Sequence, residues 1–201
     1  ASAEGLDQTV KLPKNTALYF ERVQLEIIRH PELIGSYGNI VLRMQRVHQQ
    51  LQDNPIHLTL NNKDGSVLPF LFQKHHMQLL ASMMIADPNQ YLAMLLNMYR
   101  DIENSNYQAV TKILERGMFS DEKISFQLMS MAMDVASGIT ESRMQDVREQ
   151  TKNGLLGDLL NFPMPHLNKV IKGLDLGDNF RQPKRSSIPV LLLTGTLDGR
   201  T

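Results

Sequence analysis

The 201-residue sequence contains no cysteine. That absence excludes disulfides, thiolate metal sites and a cysteine nucleophile. It leaves cytoplasm and periplasm both open as the compartment. Tryptophan is also absent. Neither sign of charge is in excess: Lys+Arg and Asp+Glu number 21 each, so the formal net charge is zero. No run of five or six like charges occurs, and bulk charge gives no reason to expect nucleic acid or an anionic membrane surface as a partner. No apolar stretch approaches the roughly 20 residues that a membrane-spanning helix requires. The opening residues ASAEGLDQTV lack the basic start and apolar run of a signal peptide. Internal repeats and low-complexity segments are missing as well.

Two catalytic signatures are absent too. Gly-x-Ser-x-Gly does not occur; Gly35-Ser36-Tyr37-Gly38 misses it because the first glycine is adjacent to the serine. His-Glu-x-x-His does not occur among the six histidines. His30, His48, His57 and His166 are scattered, and His75 and His76, being adjacent, are not expected to point the same way on a helix. All six therefore read as structural or surface residues, and no metal and no cofactor are expected.

What is present is an ordinary globular composition, 42% hydrophobic and 21% charged, with 12 methionines. Methionine fills irregular gaps in helical cores and also lines adaptable binding surfaces. The periodicity predicts helices over most of the chain. Asn15 or Thr16 can cap a first helix running to about Arg29, which Pro31 interrupts. A second is expected over Tyr37–Gln52, with Ile40, Met44, Val47 and Leu51 as its buried stripe. The period then changes to two over Ile56–Leu60. Asn61 to Gly65 supplies turn chemistry and Val67–Phe72 is a second β-prone run, together a hairpin. Pro69 makes the second run an edge strand. Helical pattern resumes over Gln73–Ile85, Pro88–Glu103, Tyr107–Arg116, Asp121–Ala136 and Glu141–Leu155. Asp87, Ser120 and Thr140 serve as start signals.

The stretch Gly173–Ser187 reads as a connection. After it, Ile188–Thr194 is apolar almost throughout and suits a strand buried in a parallel sheet. The 187 residues before it supply no obvious set of neighbours. The simplest account is that its neighbours belong to sequence outside this chain, so its open edge is expected to promote self-association. Asp198 sits in the loop after this run, where open α/β sheets gather catalytic groups. A carboxylate there can orient a histidine during acyl transfer, although Asp-Gly is also a common turn pair.

The run Ile-Pro-Val-Leu-Leu-Leu-Thr-Gly-Thr-Leu-Asp-Gly-Arg-Thr ending the sequence resembles the late strand and acid loop of α/β-hydrolases. It is most similar to the proline iminopeptidase and tripeptidyl-aminopeptidase-like branch. Glu4-Gly5-Leu-Asp-Gln-Thr9 resembles the segment leaving the sheet after the nucleophile region. Met131–Gly138 and Gly154–Pro163 resemble cap segments of bacterial members. Val135 stands where secreted relatives often carry cysteine after the acid.

The resemblance implies a mainly α fold, the helical cap of an α/β-hydrolase with one β-hairpin and one terminal core strand. Residues 1–13 would lead in from the core, 14–185 would form the cap, and 186–201 the core strand and acid loop. It implies Asp198 as the triad acid, with serine upstream and histidine downstream, outside this chain. The chain alone is then expected to be inactive. The parent would hydrolyse ester or peptide bonds of a small-molecule or peptide substrate, with the rest of the hydrolase core as partner. Asp134, an acid on an apolar helix, would bind the substrate's free amino group; otherwise it is a boundary carboxylate. The alternative is a non-enzymatic helical module that docks on another protein.

Overall fold

Proline sets where the first two helices begin. In the computed structural model, which describes residues 10–62, 64–118, 128–164, 167, 173–182, 187–189 and 191, helix α1 spans Pro13–Arg29 and α2 spans Pro31–Tyr37. Both start on a residue that lacks the amide hydrogen a first turn would leave unpaired. The start expected at Asn15 or Thr16 therefore moves back to Pro13, and Pro31 opens a new helix as well as closing the old one. Gly38, at φ 56°, donates its N–H to the Ile34 carbonyl and ends α2. Asn39 then caps α3, Ile40–Asp53, its side chain accepting from the Leu42 N–H. The helix expected from Tyr37 thus starts three residues later, because Gly38 and Asn39 stop one helix and start the next.

Strands β1 (Ile56–Asn61) and β2 (Val67–Phe72) pair antiparallel, with Ile56 opposite Phe72 and Asn61 opposite Val67. Ile56, Leu58 and Leu60 are buried and their neighbours exposed, as period two requires. Asp64 accepts from both the N–H and the hydroxyl of Ser66, and Gly65 takes φ 84°, which closes the turn. Pro69 faces Thr59 and costs little, since both strands of a two-stranded sheet are edges.

Helix α4 spans Lys74–Met84, α5 Pro88–Glu103 and α6 Gln108–Ile113, which runs on into a π turn at Leu114–Met118. Further on lie α7 (Leu128–Ser137), α8 (Glu141–Thr151), a 3₁₀ turn at Gly157–Asn161, and the short α9 (Asp178–Arg181). Asp87 and Thr140 cap α5 and α8 as expected. The Ser120 cap and the start of the helix expected at Asp121 lie outside the described residues. Among the described residues the fold is mainly α with one antiparallel hairpin.

The chain divides into two compact units. Residues 20–124 form one, and residues 1–19 with 125–201 form the other. The division runs through the region 14–185. In the unit of residues 20–124, α3 packs on α4 and α5. Its buried stripe includes Ile40, Met44, Val47 and Leu51, as the i, i+4, i+7, i+11 spacing predicts. Leu95, Met98, Tyr99 and Ile102 form the matching stripe of α5. The core of the other unit gathers Val10, Val135, Ile139, Met144, Val147 and Met164. There the Asn161 side chain accepts from the Lys11 N–H at 2.6 Å and donates to the Lys11 carbonyl at 2.9 Å. It thereby holds both polar groups of the Lys11 backbone. Of the terminal strand expected at Ile188–Thr194 only residues 188, 189 and 191 are described, and the remainder lies outside the described residues.

Candidate functional site

Helix α7 presents two faces. Met131 and Val135, four residues apart, turn into the core of their unit. Met129 and Met133, also four apart, turn away from it and are 75% and 63% exposed; Leu128 is exposed beside them. Asp134 follows Met133 by one residue and is half-buried at the border of the two faces. It is the one charged residue in the helix. A contiguous apolar face left in solvent marks an interaction surface more often than it marks poor packing.

The end of α7 is held in place by residues 175–181. A helix leaves its last four carbonyls without intrahelical partners. Here the Gly138 N–H donates to the Asp134 carbonyl at 3.0 Å and the Leu176 N–H to the Ala136 carbonyl at 3.0 Å. The Arg181 guanidinium donates to the Ser137 carbonyl at 3.0 Å. That guanidinium is itself fixed by Asp175 at 2.5 Å and by Asp178 at 2.8 and 3.0 Å. Its side chain is only 6% exposed. The Arg181 hydrogen bond and the neighbouring Gly177 N–H hold the Asp175 carboxyl below the usual carboxylate range. Gly138 takes φ 58°, and a Cβ there would fall on Arg181 Nη1. None of this stands out in the sequence, where Gly173–Ser187 reads only as a connection. The one local hint is Gly138 directly after the last helical residue, the position a C-terminal glycine favours.

In the unit of residues 20–124 the polar interior is structural. His48 Nε2 and the Tyr99 hydroxyl lie 2.8 Å apart and tie α3 to α5. Burial, with the Lys74 charge second, pushes the His48 imidazole down to about 4. Burial likewise raises the Tyr99 phenol. His76 turns back to the start of α4, where its Nδ1 accepts from the Gln73 N–H at 3.0 Å. This brings its ring to 3.9 Å from that of His75, so the adjacent histidines meet despite their spacing. Arg43 and Arg46 converge on Glu103 at 2.7 and 2.6 Å. Partial burial works upward on the Glu103 carboxyl, and the two arginines outweigh it and hold it low. A cavity of about 230 Å³ is lined by Leu51, Gln52, Gln73, Lys74, His75 and Gln78. That is below the roughly 300–1,000 Å³ of small-molecule sites, and it contains no base or nucleophile beyond one lysine and one histidine. Among the described residues no group of three or more His, Asp or Glu side chains could hold a metal ion, and no helix is long and apolar enough to cross a membrane.

Of the two site residues the sequence singles out, Asp134 lies on the α7 border described above. Asp198 lies outside the described residues. Comparison with family models, curated proteins and solved structures returns no match.

Proposed function

We propose that this chain is the helical cap and acid-loop segment of an α/β-hydrolase that cleaves ester or amide bonds near a free amino terminus. Serine and histidine come from chain outside these 201 residues, and Asp198 orients the histidine and stabilises its imidazolium form. The cap shields the reacting carbonyl from water and selects the substrate. Helix α7 provides the selective surface. Asp134 takes the substrate's ammonium group, and Met129 and Met133 take its apolar side chain, with methionine adapting to several shapes.

The single observation that carries this reading is the exposed apolar face of α7 at Met129 and Met133. A buried stripe of the same composition would speak only of core. One further feature agrees. The described residues form no sheet beyond the β1–β2 hairpin, as expected of a lid and not of a hydrolase core.

The test is to express the protein from its whole coding sequence and treat it with a fluorophosphonate probe. Labelling is expected on one serine N-terminal to residue 1, in agreement with the order nucleophile, acid, histidine. A complete protein that takes no label would leave the helical docking module as the better reading.

A further inference from the structure

We infer that Met129 and Met133 are a reversible oxidation site, through which a peroxide turns the outward face of α7 polar while the core behind it stays packed. Such a site depends on the two faces of α7 and not on the function proposed above. A thioether oxidises where the oxidant can reach its sulfur. Met129 and Met133 lie four residues apart on one side of α7, both well exposed. The same unit supplies its own comparison. Met144 and Met164 belong to its core and are 8% and 4% exposed. Met131, between the outward pair, turns to the other side and packs partly buried against that core. In the unit of residues 20–124, Met83 and Met94 are less exposed than the α7 pair, at 47% and 37%, and Met44, Met77 and Met98 are buried.

The chemistry needs no metal and no second reagent. The sulfur attacks one oxygen of hydrogen peroxide, the S–O bond forms as the O–O bond breaks, and water leaves. Sulfur gives up two electrons and the peroxide takes them. The sulfoxide is polar and chiral where the thioether was apolar and flexible. On a buried side chain the new oxygen would sit in the core without a hydrogen-bond partner. On Met129 and Met133 it meets water. The change therefore falls on the surface: the outward face loses apolar character, while Val135 and Ile139 keep their places in the core. Methionine sulfoxide reductases, one for each sulfoxide epimer, return the thioether and make the change reversible.

The experiment treats the protein expressed from its whole coding sequence with hydrogen peroxide and follows each methionine by peptide mass spectrometry. Met129 and Met133 should gain oxygen at least about tenfold faster than Met144 and Met164, and in guanidinium the rates should converge. Protein oxidised at the outward pair should keep the urea midpoint of untreated protein. Both reductases together, with dithiothreitol, should restore the original mass. An outward pair that reacts as slowly as Met144 and Met164 would show the face to be covered in the whole protein and overturn the site. A lowered urea midpoint after oxidation of that pair alone would show that these side chains carry packing, and would overturn the surface assignment. Sulfoxides that the reductases leave in place would overturn the reversibility.

Discussion

Lowering the pH should destabilise the unit of residues 20–124 through one imidazole. His48 is buried between α3 and α5, with the Tyr99 hydroxyl at 2.8 Å and the Lys74 charge also acting on it. Its pKa is about 4 in the folded chain against 6.5 for an unperturbed histidine. A depressed folded pKa means that the unfolded chain binds the proton first. The stabilisation is therefore complete above pH 6.5 and is lost as pH falls from there towards 4. At about 1.36 kcal/mol per pH unit for one proton, the whole loss is about 3 kcal/mol, of which about 2 kcal/mol has gone by pH 5. Glutamine at position 48 can still reach the tyrosine hydroxyl but cannot titrate. Urea unfolding at pH 7.5, 6 and 5, read by hydrogen exchange of α3 and α5 amides, should show wild type losing about 2 kcal/mol more than His48→Gln over that range. His76 shares the downward direction, through burial and the His75 charge, and is present in both proteins, so it cancels from the difference. Equal losses in the two proteins would refute the assignment.

Gly138→Ala should destabilise the unit of residues 1–19 and 125–201 by at least 1–2 kcal/mol, roughly the cost of the left-handed conformation. The new Cβ would also displace the Arg181 guanidinium and sit 3.1 Å from both Asp175 carboxylate oxygens. Faster hydrogen exchange in α7 checks this, and unchanged exchange contradicts it. Asn161→Ala should cost about 1–3 kcal/mol, because two hydrogen bonds to the Lys11 backbone are lost in a part-buried site. A urea midpoint equal to wild type would count against it. Glu103→Gln should cost about 1 kcal/mol after allowing for partial exposure, and less in high salt, since it weakens two arginine contacts at a part-exposed carboxylate.

Much of the helical order is legible from periodicity. The stripe Ile40, Met44, Val47 and Leu51 is buried as its spacing demands, and α5 begins and ends where Pro88 and Glu103 place it. The hairpin is legible for the same reason: alternation over Ile56–Leu60 and the turn residues before Val67 agree with each other. What is not legible is long-range. Residues 11 and 161 are joined by one asparagine, and nothing local to either predicts it. The Arg181 contacts are hidden likewise, because Asp175, Asp178 and Arg181 look like ordinary loop polarity until Ser137 is brought beside them. The helix Pro31–Tyr37 is missed because Pro31 reads as a breaker when it is also a start. For the candidate site, the sequence marks Asp134 by its apolar neighbours. Which of those neighbours face outward follows only from packing, since Met131 turns inward and Met133 outward.

The most direct test of the central claim is the turnover of the full-length protein with asparagine at position 198. Asparagine keeps the size of the side chain and removes the charge that holds the histidine in its working tautomer. If Asp198 is the triad acid, kcat for an activated ester should fall about ten-thousandfold while the protein stays folded. A decrease of less than about tenfold would mean that the carboxylate belongs to an ordinary turn and takes no part in catalysis.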